Sequence, residues 1–129
     1  MRIMLDTNIL VSASLYPNGK VAAALSRAAQ RHTLVICTHV MEELESVFER
    51  KFPHKIEQLD TFISALAHEI CGTPKVNDKT PVMRDEDDRP IMQAAIEANV
   101  DAILTGDEDF YTLDIERPMI MRPSDIAMI

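Results

Sequence analysis

The sequence predicts an α/β protein, a parallel sheet with helices covering both of its faces. Two observations predict it. Short apolar runs, read as buried strands, alternate with stretches of helical period. That alternation is the pattern of parallel strands joined by helical crossovers. The size also fits: 129 residues with 47% apolar side chains suit one compact domain, residues 1–129, with enough apolar surface for a core.

The elements follow in order. Arg2 to Leu5 is an apolar run that stops at Asp6 and reads as the first strand. Thr7 and Asn8 offer capping side chains to the short apolar stretch after it. Tyr16-Pro17-Asn18-Gly19 is a turn, and the Ala- and Leu-rich stretch from Val21 to Gln30 is a helix. Thr33 to Cys37, β-branched and apolar, is the second strand. Thr38 is the expected N-cap of a helix that runs toward Lys51 and is broken by Pro53. Lys55 to Glu69 carries Ile56, Leu59, Phe62, Ile63 and Leu66 at helical spacing. The apolar segment from Ile56 to Leu66 is expected to cover its own sheet rather than a partner subunit. Ile70-Cys71 is a short strand before a Gly-Thr-Pro turn, and Val76 to Arg84 is a polar loop. Pro90 suits the first turn of a helix that continues through Asn99. Ala102 to Thr105 is a buried strand opening into the Gly106-Asp107 loop. A short helix follows, then Met119 to Met121 as the last strand, ended by Pro123.

Composition excludes several classes. No apolar run approaches the roughly 18 residues of a membrane span. The opening MRIMLDTNIL does not read as a secretion signal, because Asp6 interrupts it. A soluble, cytoplasmic protein with no membrane partner is expected. Cys37 and Cys71 form no CxxC pair and read as buried thiols in a reducing compartment. His32, His39, His54 and His68 show no metal-binding spacing, and three glycines leave no P-loop or GxGxxG. The net charge of −8 sits awkwardly with a polyanionic substrate. Either part of the acid is gathered in one pocket and neutralised by divalent metal, or a basic partner shields it.

Four acids stand where chemistry is expected. In open parallel sheets, ligands bind beyond the carboxyl ends of the strands. Asp6 directly follows the first strand, and Asp107 lies just past another. Glu43 is three residues after Val40 and four before Val47, on the edge of the apolar stripe of its helix. Glu42, Glu45 and Glu49 fall on the opposite, wet face. Asp88 is three residues before Ile91 and four before Met92, so it opens a helix on its inward face. A carboxylate at an inward edge is costly unless paired, hydrogen-bonded or bound to metal. Hard oxygen donors without histidine or cysteine suit Mg²⁺ or Mn²⁺ rather than zinc. Such clusters serve phosphodiester hydrolysis.

Four motifs in this order resemble those of PIN domains, over nearly the whole chain. They are Ile3-Met4-Leu5-Asp6-Thr7-Asn8, Thr38 to Leu44 around Glu43, Asp85 to Ile91 around Asp88, and Leu104 to Phe110 around Asp107. The resemblance is nearest to the VapC-type toxin ribonucleases of toxin–antitoxin systems. It implies a three-layer α/β/α sandwich around a parallel sheet of about five strands, and a Mg²⁺- or Mn²⁺-dependent ribonuclease. It further implies that Asp6, Glu43, Asp88 and Asp107 hold the metal, with Asp109 as an additional or outer ligand. Asn8 and Thr105 would orient the carboxylates by hydrogen bonds, and Asp85 would stand in the outer ring or merely in the acidic loop. The implied partners are RNA, an antitoxin protein and a second copy of the chain.

Two other classes compete. An aspartate after the first strand also opens phosphatases that form an aspartyl phosphate. Those need an acid two residues later, where this chain has Asn8, and a lysine between the last two motifs, where it has none. The other rival is a non-cleaving PIN-like module that binds RNA or protein.

Overall fold

The computed structural model describes residues 1–129. Its element order is β1 (Arg2–Leu5), α1 (Thr7–Leu15), α2 (Lys20–Arg31), β2 (Thr33–Cys37), α3 (Thr38–Lys51), α4 (Ile56–Ala65), β3 (Glu69–Cys71), α5 (Arg89–Glu97), β4 (Ala102–Leu104), α6 (Glu108–Tyr111) and β5 (Met119–Met121). Short 3₁₀ turns occupy Pro53–Lys55, Glu86–Asp88 and Pro123–Met128.

The five strands form one sheet in the order β3-β2-β1-β4-β5, and every pair is parallel. Ile3 stands opposite Leu34 on one side and Ala102 on the other. β1 and β4 are almost wholly buried, as their unbroken apolar sequences require of strands covered on both faces. The two edges, β3 and β5, are three residues long and largely uncovered, which limits their use as templates for stray strands. From β1 the chain moves outward through β2 to β3, then returns across the sheet to β4 and β5. Helices flank the sheet, and α3 meets α5 as well as α1 and α4. α1 packs against α2, α3 and α4, as elements of one layer do. The direction reverses between β1 and β4, so a crevice opens there at the carboxyl end of the sheet.

Phe48 of α3 and Phe110 of α6 are among the largest fully buried side chains, and they pin those helices to the core. α4 buries Leu59; Phe62 and Leu66 instead line an apolar groove of about 470 Å³, shared with Ala13, Leu25 and Ala29 of α1 and α2. No helix is long and apolar enough to cross a membrane.

Some boundaries differ from the sequence reading. The helix expected from Lys55 to Glu69 ends at Ala65, because Leu66 turns to an extended backbone and Glu69 pairs with Val35 in the sheet. The N-cap of α3 is Cys37, not Thr38, whose hydroxyl instead meets that of Thr73. α5 stops at Glu97, and Asn99 adopts the left-handed conformation (φ 53°) that terminates helices. Pro123 does end β5, but the chain then coils into a 3₁₀ turn that buries Ile126.

Candidate metal centre

The end of β1 delivers the first acid. Asp6 is 3% exposed and serves as the N-cap of α1, its Oδ1 accepting from Thr7 N at 2.7 Å. Its other oxygen, Oδ2, accepts from the Thr105 hydroxyl at 2.7 Å. Burial pushes the Asp6 carboxyl up from 3.8. Those two bonds oppose the shift, and the charges of Asp107 and Glu43 add to it.

Thr105 directly follows β4, and it reaches two acids at once. While its hydroxyl donates to Asp6, its oxygen accepts from Asp107 N at 3.0 Å. Asp107 then caps α6 by accepting from Asp109 N at 2.9 Å. That tight loop explains how two aspartates two residues apart approach the same place. Tyr111 donates its phenol to Thr105 O, while Arg122 stacks 4.0 Å over the Tyr111 ring and pairs with Glu108. α6 is thereby braced against the strand end.

Asp88 arrives from the 3₁₀ turn before α5. It is 7% exposed, and its Oδ2 has no hydrogen-bond partner. A buried oxygen without a partner is costly and needs a reason. Burial, joined by the charges of Asp107, Asp6 and Asp85, pushes its carboxyl from 3.8 to about 8. Ligand oxygens of Asp88, Asp107 and Asp109 lie within 4.8 Å of one another.

Glu43 sits on α3 with its side chain about one-third exposed. It accepts from the Thr7 hydroxyl at 2.8 Å, and His39 Nε2 is 3.3 Å away. Thr7 therefore links Glu43 to Asp6, because its backbone N–H bonds one and its hydroxyl the other.

Of the four acids picked out from the sequence, Asp88 and Asp107 lie in the close group; Asp6 and Glu43 fall outside it, although the charge of Asp6 acts on Asp88 and that of Glu43 on Asp6. Asp109, which the sequence suggested as an additional or outer ligand, falls within the tightest group alongside Asp88 and Asp107. Asp85 is exposed and accepts from Asp87 N, so it shapes the turn that presents Asp88. Asn8 is exposed, and the side chain that bonds a carboxylate in this stretch is its neighbour Thr7. Thr7 and His39 were not singled out as site residues from the sequence. The available signal was a hydroxyl directly after the strand-end aspartate.

The donor set fits a hard divalent cation. Three carboxylates offer oxygens within bridging reach, one of them buried and unpartnered, and no thiolate is among them. Without a cation, a proton on Asp88 relieves the repulsion.

The chain matches the family model of the PIN domain over residues 2–109. Among solved structures it is similar to a chain of VapBC2 from Rickettsia felis, bound to a DNA fragment from their promoter. The TM-score is 0.73, with 23% identity over 95% of this chain and 98% of that one. A chain of DNA-bound VapBC from Salmonella typhimurium gives a TM-score of 0.70 at 17% identity, again over 95% of this chain and 98% of that one. At such identities the likeness is one of fold. No curated protein sequence matches. Residues 2–109 take in the whole acid cluster, from Asp6 to Asp109, and the chain belongs to the PIN domain family.

Proposed function

We propose that this chain, as a single domain of residues 1–129, is a divalent-metal-dependent ribonuclease and the toxin of a toxin–antitoxin pair. One observation carries the chemistry: buried Asp88, with an oxygen that nothing in the protein bonds, lies beside Asp107 and Asp109. Asp6, Glu43, Asp88 and Asp107 would hold Mg²⁺ or Mn²⁺, with Asp109 beside them. Bound there, the cation supplies a Lewis acid and an activated water for phosphodiester hydrolysis.

The chain's own residues prepare that chemistry. Thr105 and Thr7 fix the orientation of Asp6, and Thr7 also holds Glu43. Such outer bonds keep carboxylates aimed before any ligand arrives. Asp107 is held by its loop, since its backbone N–H is bound to Thr105 and its carboxylate to Asp109 N. Asp85 adds negative charge next to Asp88, which favours a cation there.

The partners follow from the same reading. RNA is the substrate, the compartment is the cytoplasm, and a second copy of the chain is a partner. The two VapBC structures support an antitoxin, and the apolar groove between α1, α2 and α4 offers it a surface.

The test is direct. Purified protein with Mn²⁺ should cut single-stranded and structured RNAs, EDTA should stop it, and Asp6→Asn should lower the rate at least a hundredfold. Uncut RNA under every metal, with Asp6→Asn indistinguishable from wild type, would leave a non-cleaving module as the better reading. The net charge of −8 is the observation on that side. Covalent phosphate trapped on Asp6 would instead point to a phosphatase. Growth arrest on expression, lost with Asp6→Asn, tests the toxin role separately.

A further inference from the structure

We propose that Arg84 grips a backbone phosphate of the RNA at the rim of the carboxylate cluster. The inference deepens the ribonuclease reading and takes its substrate from it. A nuclease of net charge −8 has to hold a polyanion against its own acids, so its grip must come from local cations. Arg84 is the only lysine or arginine paired with any of Asp6, Glu43, Asp88, Asp107 or Asp109. Its Nε lies 3.5 Å from Asp109 Oδ1, and its side chain is 88% exposed.

Arg89 and Arg122, by contrast, are committed elsewhere, while Arg50 lines a pocket with Glu43 on the far side, on α3. Arg89 is largely covered and donates to Pro81 O and Thr80 O. Arg122 is bound to Glu108 and lies over Tyr111. Arg84 makes no hydrogen bond, so the whole fork of its guanidinium is available. Such a fork matches two oxygens of one phosphate. Its long, exposed pair with Asp109 is weak and easily exchanged.

The backbone that presents Arg84 is nevertheless fixed. Met83 before it is 4% exposed, and Asp85 after it caps the turn that carries Asp88. Arg89 fastens the preceding loop through the Thr80 and Pro81 carbonyls. The free cation is thus built into the same segment as the buried acid, four residues away along the chain.

The experiment is binding of a fluorescent single-stranded oligoribonucleotide, followed by anisotropy from 50 to about 300 mM salt. Asp6→Asn protein, with and without Arg84→Ala, keeps the probe intact. Arg84→Ala should weaken binding about five- to tenfold and reduce the log–log salt slope by about 0.7, the value of one phosphate contact on a single strand. Arg84→Lys should restore the slope but only part of the affinity. In the otherwise native chain, Arg84→Ala should raise KM with kcat within about threefold, and its melting temperature should stay within about 2 °C. Unchanged affinity and slope in Arg84→Ala overturn the proposal, as does a parent protein that binds no RNA. Cleavage is read independently: a chain that cuts normally with Arg84→Ala refutes the grip alone. One that binds RNA through Arg84 without ever cutting refutes the ribonuclease and keeps the grip.

Discussion

Replacing Asp88 by asparagine should stabilise the metal-free protein at pH 8 and leave it nearly unchanged at pH 4. Asp88 is 7% exposed and its carboxyl is pushed from 3.8 to about 8. Its pKa in the fold therefore lies above its unfolded value. The stability this acid contributes is fully present below about pH 4 and is lost as pH rises through 8. Asparagine carries no proton to lose, and its amide can donate to Asp107 as the protonated acid would. Four pH units between 4 and 8 correspond to a ceiling of about 5 kcal/mol. Water around the partly exposed Asp107 and Asp109 screens more than half of it, leaving roughly 2 kcal/mol. For a domain of this size, that is about 6 °C in melting temperature. The assay is thermal unfolding by circular dichroism in EDTA at both pH values, repeated with millimolar Mn²⁺. Asp88→Asn should melt about 6 °C above wild type at pH 8 without metal and gain far less from Mn²⁺. An equal or lower melting temperature for Asp88→Asn at pH 8 would refute the claim that Asp88 is a buried, frustrated acid.

Four further outcomes follow. Mn²⁺ affinity by calorimetry should rise up to about tenfold per pH unit below pH 8, with proton release, because the Asp88 proton must leave first. Thr105→Val removes the hydroxyl that serves both Asp6 and Asp107 N; urea unfolding should show a loss of about 1–3 kcal/mol, and Thr105→Ser should recover most of it. Thr7→Val unties Glu43 and should weaken Mn²⁺ binding about ten- to a hundredfold, with Thr7→Ser close to wild type. Phe48→Ala empties a fully buried position of α3 and should cost about 3–5 kcal/mol in denaturant unfolding.

The central strands were legible because burial on both faces imposes one simple pattern. β1 and β4 are apolar at nearly every position, and a periodicity argument finds such runs at once. The edges obey weaker rules. Glu69 sits within helical reach of Leu66, yet it pairs with Val35 and its carboxylate meets Arg2. Both partners come from distant segments, so nothing local marks Glu69 as a strand residue. The cap of α3 shows the same limit. Thr38 is the better local capper, but Thr73 on the adjoining segment draws off its hydroxyl.

The acids of the site were legible for the opposite reason: they violate the pattern. A carboxylate at the inward edge of a helix or directly after an apolar strand is anomalous, and anomalies stand out without a structure. What holds those acids is harder to see. Threonine is ordinary at the start of a helix and at the end of a strand, so Thr7 draws no notice by type. Its role appears only when its hydroxyl meets Glu43, 36 residues away, just as Thr105 meets Asp6 across 99 residues. The two threonines lie just past the ends of the adjacent strands β1 and β4; Thr7 joins the carboxylates of Asp6 and Glu43, and Thr105 joins the carboxylate of Asp6 to the backbone of Asp107. If the cluster is a metal site, its geometry is set by these hydroxyls as much as by the acids. Removing either should then loosen metal binding more than it loosens the fold.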